Sequence, residues 1–143
     1  MTVAGDNSAD GVVVDGNGSL TVQRAIIRNT GTAISITGSS ALATLVNDTL
    51  VNNGDGVATA NCGSIDMRNS ILAFNQETAL SYEACASTAL HTYNLYWRNG
   101  HDFAIDGHFF AGTDAQPITD LHFFEGNLFL ISLVVDAVGS LGR

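Results

Sequence analysis

The sequence repeats itself at a step of 22 to 24 residues. SIDMRNSILAFNQ (64–76) has counterparts in ALATLVNDTLVNNG (41–54), in TALHTYNLYWRNG (88–100) and, more loosely, in SLTVQRAIIRNTG (19–31). Each copy is a short apolar strand, a polar corner, a second short apolar strand and an asparagine. The closing asparagines are Asn29, Asn53, Asn75 and Asn99, with steps of 24, 22 and 24. A near-constant step of this length, holding strands and no helical period, predicts a parallel β-solenoid. The asparagines then form a ladder at one corner, with side-chain amides hydrogen-bonding along the stack and left-handed backbone tolerated there.

Each coil holds one further strand. GVVVD (11–15), TAISI (32–36), GVATA (56–60) and TALSY (78–82) start at steps of 21, 24 and 22, each followed by a turn of small residues. The expected fold is all-β, with three strands per coil and about five coils. A single coil cannot bury its own apolar side chains, so inward residues must stack on their equivalents about 4.8 Å away in the next coil. Val12 and Val14, Ile34 and Ile36, Leu20 and Val22, Ile65 and Met67, and Leu50 with Leu72 are the expected inward columns. Thr21, Ser35, Asp66 and Ser81 alternate with them and face out.

Composition narrows the partners. At 143 residues with 45% hydrophobic and 13% charged side chains, the chain is one domain with a continuous core. Five arginines and no lysine face 14 acidic residues, a net charge of −9 that repels nucleic-acid backbones and anionic membranes. The longest apolar run, 128–135, is too short to span a bilayer, so no membrane insertion is expected. MTVAGDNSAD lacks the basic and apolar regions of a signal peptide. Either the chain stays inside the cell or it is a mature or excised piece of a longer one. An extracellular or cell-surface location is expected.

Several residues could carry more than packing. Cys62 and Cys85 lie one coil apart after equivalent strands, close enough for a disulfide. Two reduced thiols in a stacked column are the other reading. Two residues past the asparagines stand Asp55 and Glu77, with Asp102 beside His101. Stacked carboxylates would bind calcium or act as an acid/base pair on a glycosidic bond, or they form a solvated acidic corner. No other cofactor is implied. Tyr82, Tyr96 and Trp97 are the candidate carbohydrate-binding rings, set against plain packing of the coil interior. Alternation places either Tyr96 or Trp97 outside. Asn17 and Asn47 begin glycosylation sequons, with Asn47 close to the core.

NSILAFNQETALSY and YNLYWRNGHDF resemble the repeats of right-handed parallel β-helix proteins, the pectate-lyase-like superfamily. The C-terminal end is similar to that family's closing pattern at Asp120, Phe123, Gly126, Asn127, Phe129, Leu130, Ser132, Val135, Asp136, Ala137 and Gly139. It departs where two prolines would stand (Leu121, Leu133) and carries an extra Val138. The resemblance implies a right-handed helix in a family of lyases, hydrolases, epimerases and adhesins. Its polysaccharide lyases pair carboxylate-bound calcium with a basic residue. Here the available bases are Arg24, Arg28, Arg68 and Arg98, none in an obvious carboxylate triplet.

The expected layout is a single β-helix domain over 1–143, with regular coils over 11–100. An irregular excursion and a closing, capping coil follow over 101–143. No matching cover is visible before residue 11, which leaves the first coil open to self-association. Two functions follow. The leading one is a non-catalytic extracellular module with a surface, adhesive or assembly role and some sugar affinity. The alternative is a polysaccharide lyase or glycoside hydrolase, or the C-terminal part of one.

Overall fold

A computed structural model of the chain describes residues 1–110. Fifteen strands, numbered in chain order, build three sheets. Sheet I holds β2 (Val12–Asp15), β5 (Thr32–Thr37), β8 (Asp55–Ala60), β11 (Thr78–Tyr82), β14 (His101–Ile105) and β15 (His108–Phe110). Sheet II holds β3 (Ser19–Gln23), β6 (Leu42–Val46), β9 (Ser64–Arg68) and β12 (Ala89–Thr92). Sheet III holds β1 (Thr2–Ala4), β4 (Ile26–Arg28), β7 (Thr49–Val51), β10 (Ile71–Ala73) and β13 (Leu95–Trp97). The chain visits sheets I, II and III in turn, so strands three apart in sequence are neighbours in space. The result is a parallel β-solenoid of about five coils with three strands per coil. Among the described residues there is no helix, hence none long and apolar enough to cross a membrane.

Register follows the apolar pattern, because a slip of one residue would turn every inward side chain to water. Val12, Ile34, Val57, Leu80 and Phe103 stack in sheet I. Val22, Leu45, Met67 and His91 stack in sheet II. Ile27, Leu50, Leu72 and Tyr96 stack in sheet III. Ile34, Leu45, Leu50, Val57, Met67 and Leu72 are all fully buried. Sheet III also carries an apolar outer face, where Ile71, Ala73 and Leu95 cluster with Ile26, Val51, Phe74 and Trp97.

The turns between sheets I and II show why small residues recur there. Gly38 has φ +123°, and a Cβ on it would lie 2.6 Å from the Gly16 carbonyl oxygen of the coil below. Coils approach one another here too closely for a side chain.

The regular stack extends beyond 11–100 at both ends. β1 pairs with β4, so the lead-in already belongs to sheet III. β14 continues sheet I to Ile105, within the segment expected to be irregular. β15 then turns back antiparallel onto β14. The closing coil and the terminal pattern expected for 111–143 lie outside the described residues.

Leu50→Ala should cost about 2–5 kcal/mol, because a fully buried rung between Ile27 and Leu72 would leave a cavity that flat, stacked strands cannot close. Urea unfolding of the variant against the wild type measures it, with the strand signal of the folded state expected to be retained.

Candidate functional site

Two corners of each coil are built alike. At the corner from sheet III to sheet I, Asn29, Asn52, Phe74 and Arg98 take positive φ between 48° and 56°. The residue after each supplies a rung: Thr30, Asn53, Asn75, Asn99. The Asn53 Oδ1 accepts from the Thr30 N–H at 3.1 Å and the Thr30 hydroxyl at 2.8 Å. Asn75 Oδ1 accepts from the N–H and Nδ2 of Asn53 at 3.1 and 3.0 Å. Asn99 Oδ1 accepts from the same two groups of Asn75 at 3.1 and 2.9 Å. Each amide nitrogen also donates to a backbone carbonyl of the coil below, Asn53 to Ile27, Asn75 to Leu50 and Asn99 to Leu72. The fourth expected rung, Asn29, is not one. It occupies the left-handed position, and Thr30 makes the rung, because the repeat is 23 residues here and not 24.

The corner from sheet II to sheet III carries a second ladder that the asparagine repeat does not reveal. Arg24, Asn47, Asn69 and Tyr93 take positive φ between 50° and 62°, and Ala25, Asp48, Ser70 and Asn94 follow them. Asp48 Oδ1 accepts from the Ala25 N–H at 2.8 Å, Ser70 Oγ from the Asp48 N–H at 3.1 Å, and Asn94 Oδ1 from the Ser70 N–H at 2.9 Å. The signal was present in the sequence: these residues stand at steps of 23, 22 and 24, parallel to the first ladder. It was hidden because the rung residues differ in type. Asn47 is buried at this corner, which removes it as a glycosylation acceptor.

The acidic set does not converge. The register step is 22 in sheet III (Leu50 to Leu72) but 23 in sheet I (Val57 to Leu80). The extra residue sits between Asn75 and Thr78 and pushes Glu77 out of Asp55's column. Asp55 is flanked by Thr32 below, and its carboxylate accepts the Thr78 N–H at 2.9 Å from above. Burial raises the Asp55 carboxyl above its usual range against that hydrogen bond, and the charges of Glu77 and Asp10 add to the rise. Glu77 is exposed beside Gly54. Asp102 is buried within reach of the Asn99 amide, 3.4 Å away. Arg68, a candidate base, is paired with Asp66.

The aromatic candidates divide by parity. Tyr96 lies in the inward column above Leu72, 4% exposed, and burial raises its phenol well above the usual range. It meets Phe103 edge-on at 4.6 Å, and His91 lies 5.2 Å from Phe103 and 5.9 Å from Tyr82. Burial lowers the His91 pKa and favours the neutral ring. These four side chains fill the interior of the last coils with aromatic volume. Trp97 alternates with Tyr96 and sits on the outer face of sheet III.

Cys62 and Cys85 are joined as a disulfide with Cα atoms 5.2 Å apart, spanning adjacent coils. Glu83 accepts the Cys62 N–H beside it. Among the described residues, Cys62, Glu83 and Cys85 are the one group whose donor atoms gather closely enough for a metal, within 4.8 Å of one another. With the sulfurs bonded to each other, that group offers no thiolate. Compared with protein-family models, curated proteins and solved structures, the chain matches none of them.

Asn75→Ala should destabilise by at least about 2 kcal/mol, since the Asn53 N–H loses its acceptor and the Asn53 amide loses one of its two in a buried corner. Chemical denaturation measures it. Reduction of the disulfide should cost about 2–4 kcal/mol, read as a lower melting temperature in a thiol reductant than without it.

Proposed function

We propose that the chain is a non-catalytic, extracellular β-solenoid module with a surface, adhesive or assembly role. One observation carries the reading: the polar candidates for an active centre are committed to the scaffold. Asp55 receives a backbone N–H, Asp102 is buried beside an amide, Tyr96 is inside, and the corner asparagines bond to one another. The disulfide between Cys62 and Cys85 supports an oxidising location. Likeness to the pectate-lyase-like superfamily enters only as an analogy of fold. Sugar affinity would rest on Trp97, half-buried on the other face of sheet III, because Tyr82 packs against the core. A polysaccharide lyase or hydrolase needs carboxylates converging with a base, and Asp55 and Glu77 stand in separate columns while Arg68 is held by Asp66.

Assembly is favoured by the first coil. β1, β2 and β3 are the terminal strands of their three sheets, each with one edge unpaired among the described residues. Val13 on β2 is 59% exposed. Open, in-register edges of this kind template further strands.

Sedimentation over a concentration series tests the proposal. The wild type should gain mass with concentration, and Val13→Lys, which adds a charge to the exposed side of the first coil, should reduce that gain. Calcium should leave the melting temperature unchanged. A strictly monomeric protein would remove the assembly role. Cleavage of acidic polysaccharide, lost in Asp55→Ala, would replace the proposal with the enzymatic reading.

A further inference from the structure

The second corner ladder contains one chemically odd rung. At the other rungs whose side chain ends in an amide, both polar atoms are used: the oxygen accepts from the coil on one side, and the nitrogen donates to a backbone carbonyl of the coil below. That carbonyl belongs to the residue three before the lower rung. Asn53 reaches Ile27 (below it, Thr30), Asn75 reaches Leu50 (Asn53), Asn99 reaches Leu72 (Asn75), and Asn94 reaches Met67 (Ser70). Asp48 copies the first half, accepting the Ala25 N–H through Oδ1. Its Oδ2, where the amide nitrogen stands elsewhere, is buried and makes no hydrogen bond. The lower rung is Ala25, so the carbonyl in the equivalent place is that of Val22, on the strand that pairs with β6. A carboxylate oxygen and a carbonyl oxygen are both acceptors and repel. A protonated carboxyl carries an O–H that donates as the amide does.

We infer that Asp48 is a proton-operated rung: protonated, it donates to the Val22 carbonyl and closes the ladder between the first and second coils, and deprotonated, it opens that corner. This is independent of the proposed function.

The surroundings leave the carboxyl little else. Asp48 is completely buried, and its carboxylate accepts the Ala25 N–H. Arg24, Arg28 and Arg68 on adjoining segments are exposed, with Arg68 held by Asp66. The Met1 ammonium is the charge that bears on it, placed 3.4 Å from the Arg24 carbonyl. Burial pushes the carboxyl up to about 6 from 3.8, and the N–H groups of Ala25 and Val46 and the Met1 ammonium act the other way without cancelling it. A folded-state pKa raised in this way stabilises fully below the unfolded value. The stabilisation is lost as pH rises through the folded value. For Asp48 that window runs from about 4 to about 6, and over two units it amounts to about a hundredfold in the folding equilibrium.

Asp48→Asn supplies the missing donor permanently. Denaturation of the full chain from pH 4 to pH 8 should show the variant matching the wild type near pH 4. At pH 7 its folding equilibrium should exceed the wild type's by up to about a hundredfold. Asp55→Asn serves as a control, because Asp55 contributes a pH dependence of the same sign from the other corner. A variant no more stable than the wild type at pH 7, or one keeping the wild type's full pH dependence, overturns the inference. Carbon NMR of the wild-type carboxyls decides the matter without any variant. Asp48 should titrate well above the ordinary aspartate value of 3.8, and a midpoint at or below 3.8 overturns the rung. Exchange of the Ala25 amide hydrogen should also accelerate across the same window beyond its intrinsic pH dependence.

Discussion

Parallel hydrogen bonding between successive coils is the constraint on which this molecule depends. A coil of three short strands has no partner within itself. Its backbone groups are satisfied only when the next coil lies in register upon it, and its apolar side chains only when like side chains meet above and below. The stack is therefore all or nothing at each layer. It tolerates changes of length only where the chain leaves one sheet for another.

Those departures are not equally free. Sheets II and III always change step together, 23, 22 and then 24 residues, so the corner between them keeps one length in every coil. The corner from sheet III to sheet I gains a residue after Asn75 and loses one after Asn99. Both corners bend through a left-handed residue that is not glycine, including Phe74 and Tyr93, at a cost of order 1 kcal/mol or more each. The rung that follows each bend offsets that cost by satisfying backbone N–H groups which no strand can reach. Buried polarity at these corners thus satisfies the backbone that the bends expose.

Much of this was legible before any coordinates. Three strands per coil, the inward columns and the adjacency of Cys62 and Cys85 all follow from a repeat whose members stack at fixed steps, while the bond between the two sulfurs is seen only in the structure. Identical residue type does not mark identical position in the coils. Asn29 and Asn53 share a residue type but occupy adjacent positions of the corner, whereas Thr30 and Asn53 differ in type and do the same work. Asp55 and Glu77 share a distance from their asparagines, and one inserted residue separates them. The second ladder has no residue-type signature, because Ala25, Asp48, Ser70 and Asn94 have nothing in common except their step.

By itself the sequence determined the class of fold, since alternating apolar residues at a repeat of 22 to 24 can bury themselves only by stacking. Only the tertiary structure decided which polar groups meet. A one-residue change at a corner moves a carboxylate by a whole column without disturbing the hydrophobic pattern. Burial then fixes the chemistry: Tyr96 becomes core, Trp97 packs half-buried into the second apolar cluster on the other face of sheet III, and Asp48 becomes a fully buried carboxyl. Periodicity carries the backbone pairing because hydrogen bonds repeat with it. It carries no record of the lateral offset at a bend, and that offset places the titratable groups.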